Sequence, residues 1–125
     1  MTRPRRPRVL LAEDHDEVTK AVRRVLALDC EIVGSVADGK AVLEAAQRLQ
    51  PDVIVLDMHL PNVHALEACR QITRMNPAIK VIMFTVMDDP HVSQASLAAG
   101  ASAFVSKLAW LDLLPAIKRA YAGEA

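Results

Sequence analysis

At 125 residues the chain has room for one domain with a sizeable core, and a division into two would be strained. Just over half of it is apolar and its 15 basic residues equal its 15 acidic ones, which excludes a disordered, charge-driven chain. No apolar run approaches the ~20 residues of a membrane-spanning helix, and the N-terminus lacks a hydrophobic segment with a small-residue cleavage site, so a cytoplasmic protein without membrane contact is expected.

The zero net charge hides an asymmetry. Arg3, Arg5, Arg6 and Arg8 all stand in the first eight residues, leaving the remainder with four more acids than bases. Residues 1–7 read as a flexible basic leader, with nucleic-acid contact the weaker alternative. Residues 8–122 form the domain, and 123–125 a tail or the start of a linker. Cys30 and Cys69 have no Cys-x-x-Cys spacing and read as free, partly buried thiols.

In chain order, five runs rich in Val, Ile and Leu read as strands: Val9 to Ala12, Glu31 to Val36, Val53 to Leu56, Val81 to Thr85 and Ala103 to Ser106. A helical stripe follows each one. Val18, Val22, Val25 and Leu26 form the first, Val42, Ala45, Ala46 and Leu49 the second, and Leu66, Cys69 and Ile72 the third. The fourth, near Pro90 to Ala99, is weaker, with Val92, Ala95 and Ala99 inward. The fifth runs from about Leu111 to Tyr121 through Leu113, Leu114 and Ile117. Asp38 and Asp89 stand as N-caps, Pro90 as a first helical residue and Gly100 as a C-terminal cap.

Five strand–helix repeats with short connections predict a doubly wound parallel α/β sheet with helices on both faces. In such a sheet ligands collect beyond the carboxyl ends of the strands. There the first strand ends in Glu13-Asp14, the third in Asp57, the fourth in Thr85 and the fifth in Lys107. In strand order 2-1-3-4-5 the first and fourth strands flank the third at about 4.8 Å, and a lysine spans most of the roughly 10 Å from the fifth.

Three carboxylates in one cleft repel each other, and Mg²⁺ resolves the conflict while sharing its shell with phosphate oxygens. With Lys107 and the Thr85 hydroxyl beside it, Asp57 is placed to act as a nucleophile toward phosphorus and form an acyl phosphate. Each residue alone has a blander reading: Asp14 or Asp57 a cap, Thr85 a strand residue, Lys107 a surface charge. Four strand ends converging on one chemistry favour the sharper one.

The chain also resembles the receiver domain of bacterial two-component response regulators, most closely the LuxR, NarL and FixJ type. The likeness lies in RVLLAEDH, IVGSVADGKAVLEAAQRLQPDVIVLD and LAAGASAFVSK, and runs from about Arg8 to Tyr121. It implies a flavodoxin-like, CheY-like fold and no enzyme activity beyond self-directed phosphoryl transfer and autodephosphorylation. It makes Asp57 the acceptor of phosphate from a sensor histidine kinase. It implies that Glu13, Asp14, Asp57 and the backbone carbonyl of His59 bind Mg²⁺, that Thr85 is the switch hydroxyl, that Lys107 ion-pairs with the phosphoryl group and that Phe104 is the coupled aromatic. The switch is then read on the face of the fourth helix, fifth strand and fifth helix, where Val92, Ala95, Trp110 and Leu111 are candidate contacts for a partner or a homodimer. DNA enters only through an output domain that these residues do not include.

Several positions depart from the family pattern. Glu13 replaces the commoner aspartate and Asp16 a frequent proline, both near the metal. Ala65 stands where glycine is usual, and would be strained if that position needs positive φ. Val86 follows the switch threonine where a small residue is usual, so slow phosphate turnover or a perturbed switch is expected. His59 and Met87 occupy positions that tune hydrolysis. His15, His64 and His91 lack metal-ligand spacing and read as surface or loop residues. Trp110 reads equally as a partner anchor or as a core residue.

The alternative function is a receiver that dimerises or binds a partner without phosphate. A haloacid-dehalogenase-like phosphatase would need an aspartate where His59 stands. A flavodoxin would need a hydroxyl-rich and glycine-rich loop where this chain has Glu13-Asp14-His15-Asp16.

Overall fold

The computed structural model describes residues 5–86 and 89–123, so Arg3 and Met87 lie outside the described residues. Strands β1 (Arg8–Ala12), β2 (Glu31–Val36), β3 (Val53–Asp57), β4 (Lys80–Thr85) and β5 (Ala103–Ser106) alternate with helices α1 (Asp16–Leu26), α2 (Gly39–Leu49), α3 (Ala65–Met75), α4 (Pro90–Ala98) and α5 (Leu113–Tyr121). The strands pair in parallel in the order β2-β1-β3-β4-β5, as expected.

Side chains alternate across the sheet with period two, and both faces are covered, so the central strands carry no polar face. Val9, Leu11, Val53, Val55, Ile82 and Phe84 pack beneath α1 and α5, against Val22, Leu26, Leu113 and Ile117. Leu10, Ala12, Ile54, Leu56, Val81 and Met83 pack beneath α2 and α3, against Val42, Ala46, Cys69 and Ile72. Both cysteines are buried free thiols.

The helix ends follow local chemistry. Asp38 accepts from Ala41 N at 2.8 Å and Asp89 from His91 N at 2.8 Å, with Pro90 opening α4. Gly100 (φ +104°) ends α4, and a Cβ there would stand 2.8 Å from Thr73 Oγ1. The inner face of α4 differs from the apolar pattern. Ser96 is fully buried and Val92 and Ala95 only half-buried, because the Ser96 hydroxyl is satisfied within the helix by donating to Val92 O at 2.8 Å.

The C-terminal connection also differs. Lys107–Asp112 is a 3-10 segment, capped where Ser106 Oγ accepts from Leu108 N at 3.1 Å, and α5 starts only at Leu113. Leu111 is therefore exposed instead of opening the helix.

The described end of the leader is docked. Arg5 forks onto both Asp52 carboxylate oxygens at 2.7 and 2.8 Å and lies over the Tyr121 ring, while Arg6 donates to Ala27 O at 3.2 Å. These contacts sit at the amino ends of the strands, opposite the edge where the candidate residues gather.

Candidate functional site

The carboxyl ends of β1, β3 and β5 meet as the strand order requires. Asp57, the last residue of β3, pairs in register with Phe84 on β4, and Glu13 follows directly on Ala12, the partner of Leu56. Asp57 is 2% exposed and Glu13 8%, so both carboxylates have left bulk water. Asp57 Oδ1 accepts from the backbone N–H of His59 at 3.0 Å. Among the described residues its Oδ2 has no hydrogen-bond partner, and it faces Lys107 Nζ at 3.4 Å.

Lys107 leans further toward Glu13, with Nζ 2.6 Å from Oε1. That contact is ionic but lacks hydrogen-bond angles, so Glu13 Oε1 is also a buried oxygen without a hydrogen bond. The ammonium also lies over the Phe84 ring, with Nζ 5.6 Å from the centroid. One ammonium thus serves two buried carboxylates, which leaves the cluster with surplus negative charge.

His15 adds a further contact to the acidic pair, ionic when its ring is protonated. Its Nδ1 stands 2.8 Å from Glu13 Oε2 and 3.1 Å from Asp14 Oδ1, and its backbone N–H also donates to Glu13 Oε2 at 3.0 Å. The hydrogen bond to Glu13 and the charge of Asp14 raise the His15 pKa above the usual imidazole range. Burial pushes the Asp57 carboxyl up, the His59 N–H opposes this, and the neighbouring Glu13 charge adds to the rise.

One donor atom from each of Glu13, Asp14, His15 and Asp57 falls within 4.8 Å of all the others. Two buried oxygens lacking hydrogen bonds, in a set dominated by carboxylates, fit a hard divalent cation of the Mg²⁺ type. The fit rests on donor chemistry and on those two oxygens.

Thr85 ends β4 one residue beyond the partner of Asp57 and is fully buried, level with Ser106 on β5. Phe104 pairs with Met83 and lies half-buried against the α2–α3 side of the core. The four candidate contact residues separate. Val92 and Ala95 line a groove of about 490 Å³ with Met58, His59, His64 and His91. Trp110 instead lines a cleft of about 270 Å³ against Glu17, Val18 and Ala21 of α1, with Phe84 and Lys107, and is an exposed residue outside both core clusters. Leu111 projects into solvent.

The loop that follows Asp57 is fixed from α2. Gly39 N donates to Pro61 O at 3.0 Å, and a Cβ on Gly39 would fall 2.5 Å from Val63 Cβ and 2.7 Å from Val63 O. The bend of this loop uses Asn62 (φ 79°), and Ala65 does not have positive φ. Ala65 opens α3 as a buried helical residue, capped by His64, whose Nδ1 accepts from Leu66 N at 3.2 Å. The expected strain at Ala65 is absent because the chain turns three residues earlier. Val86 is more than half exposed at the mouth of β4.

Sequence reasoning missed the part played by His15, whose only signal is its position directly after the acidic pair. It also missed Gly39, which the sequence offers as one more glycine at a helix start.

The fold and this acidic, lysine-bearing edge define a flavodoxin-like α/β domain of the CheY-like class, with its site at the carboxyl ends of β1, β3 and β5. The family model described as response regulator receiver domain matches residues 9–117, and the chain belongs to that family. It is 37% identical over 120 residues to the response regulator GacA of Pseudomonas viridiflava, covering 94% of this chain and 56% of the relative. It is 32% identical over 119 residues to the response regulator UvrY of Escherichia coli K12, covering 93% and 55%. The chain thus spans little more than half the length of these relatives. A crystal structure of a LuxR-family two-component response regulator from Aurantimonas sp. SI85-9A1 superposes with a TM-score of 0.91 at 28% identity, covering 96% of this chain and 88% of the other.

Proposed function

We propose that this receiver domain accepts a phosphoryl group on Asp57 from the phosphohistidine of a sensor kinase, and through it controls a LuxR-type transcriptional regulator. One observation carries the reading: Asp57 Oδ2 is buried at the sheet edge, lacks a hydrogen bond, and faces Lys107 Nζ, while Oδ1 is held by the His59 N–H. Fixing one oxygen orients the other, so attack starts from a restricted geometry.

Oδ2 forms the new P–O bond as the P–N bond of phosphohistidine breaks, and the kinase imidazole leaves neutral, taking a proton. Lys107 turns from Glu13 and Asp57 toward the new phosphoryl oxygens, a short displacement for its ammonium. The Thr85 hydroxyl donates to the same group, and Phe104 follows on β5 to alter the face made by α4, β5 and α5. Glu13, Asp14, Asp57 and the His59 carbonyl would hold Mg²⁺, which would supply charge neutralisation for the phosphoryl oxygens. DNA binding belongs to an output domain elsewhere in the regulator. The protein works in the cytoplasm, where kinase and DNA are both reachable.

The test is intact-mass measurement after incubation with Mg²⁺ and a small-molecule phosphodonor. A single phosphoryl adduct that disappears in Asp57→Asn is expected. No adduct, or one that persists in that variant, overturns the proposal and leaves a phosphate-independent dimerisation or interaction module.

A further inference from the structure

His15 is not idle at the mouth of the site. Its Nδ1 stands 2.8 Å from Glu13 Oε2 and 3.1 Å from Asp14 Oδ1. Ligands on neighbouring positions of an octahedral ion with bonds of about 2.1 Å stand about 3.0 Å apart. Both separations match that edge, and Asp57 supplies a further donor within the same 4.8 Å set. Glu13 Oε1 and Asp57 Oδ2, on residues more than nine-tenths buried, lack hydrogen bonds beside it. Hydrogen bonding alone would account for a histidine near two acids. It does not account for four donors converging within 4.8 Å of one another beside two buried carboxylate oxygens that lack hydrogen bonds.

We infer that His15 Nδ1 is a direct ligand at this site, giving it an appetite for imidazole-seeking transition cations such as Co²⁺ beyond that of an all-oxygen Mg²⁺ site. The inference rests on the receiver reading only for the place of the cation. Imidazole adds little to Mg²⁺, which takes oxygen ligands, and much to first-row transition ions, whose affinity for nitrogen rises along the series. Binding frees Nδ1 for the metal by leaving the ring proton on Nε2, which points away from the carboxylates. A protonated ring releases its extra proton to solvent. His15 is two-thirds exposed, so it can be exchanged without emptying the core.

The experiment is calorimetric titration of wild type and His15→Gln with MgCl2 and CoCl2 at about pH 8, on the alkaline side of the ordinary imidazole value because the acidic pair raises that of His15. Continuous-wave and pulsed EPR of bound Mn²⁺ then look for nitrogen coupling. Glutamine keeps a polar donor at the position but offers oxygen in place of nitrogen. Expected is a loss of about tenfold or more in Co²⁺ affinity with Mg²⁺ affinity changed less than about twofold, and nitrogen coupling present in wild type and absent in the variant. Equal changes for both cations, tighter binding in the variant, or no nitrogen coupling in wild type overturns the inference. If wild type binds Co²⁺ through His15 but gains no phosphoryl adduct with Mg²⁺, the receiver chemistry fails and the ligand assignment stands. Circular dichroism of His15→Gln guards against loss of fold.

Discussion

Replacing Lys107 with Met keeps an unbranched side chain and deletes the charge that lies over Phe84 between Glu13 and Asp57. At an effective dielectric near 20, the two ion contacts at 2.6 and 3.4 Å correspond to attractions of about 6 and about 5 kcal/mol. The two carboxylates, with donor oxygens no more than 4.8 Å apart, repel by about 3 kcal/mol or more. Much of the attraction is offset by the desolvation of the ammonium, which the variant no longer bears. The loss is also capped, because one carboxylate can take up a proton, at about 4 kcal/mol for an ordinary carboxyl at pH 7. The net cost is therefore about 3 to 4 kcal/mol, in the range for breaking one side of a buried ion cluster. For a domain of this size that lowers Tm by about 10 to 20 °C. Calorimetry or urea unfolding in EDTA reads it, and adding Asp57→Asn to Lys107→Met is expected to restore at least half. A drop under about 3 °C, or no recovery in the double variant, would refute the electrostatic account.

Three other outcomes follow from the same geometry. Asp57→Asn alone should stabilise the metal-free protein by about 1 to 2 kcal/mol near neutral pH. The Asp57 carboxyl is raised in the fold, so its contribution is fullest below the unfolded pKa and is lost as pH rises through the folded one. The advantage of the variant should thus grow from about pH 4 upward in urea titrations, and a pH-independent difference would contradict the burial of charge. Burial pushes the Cys30 and Cys69 thiols up to about 11, so both should react with Ellman's reagent only on unfolding, and stability should fall as pH rises from the ordinary thiol value of 9.0 through 11. Gly39→Ala should cost about 1 to 3 kcal/mol by overpacking against Val63. Val63→Ala should recover only part of it, because the Val63 carbonyl remains in the way.

Much of this was readable beforehand because the physics is repetitive. The central strands are covered on both sides, so Val53-Ile54-Val55-Leu56 advertises itself as an apolar run. Parallel strands bring their carboxyl ends to one edge, so Asp57, Glu13 and Lys107 could be placed together from topology alone. The misreadings come where a side chain's environment breaks its type. Ser96 is buried because its hydroxyl finds Val92 O inside the helix, which no hydropathy pattern records. Leu108 and Leu111 are apolar but ride a 3-10 turn set by the Ser106 cap, so helical periodicity drew the last helix two residues early. The His15 bridge depends on where a short loop folds back, and spacing along the chain carries no trace of that.

The aromatic residues give the domain an optical asymmetry. Its single tryptophan, Trp110, lines the cleft beside Lys107 and Phe84, whereas its single tyrosine, Tyr121, lies under Arg5 at the far end of the sheet. Selective excitation of the indole therefore interrogates the lysine's surroundings with no added dye. Movement of that ammonium changes the field on a neighbouring chromophore, and the tyrosine at the opposite pole supplies an internal reference.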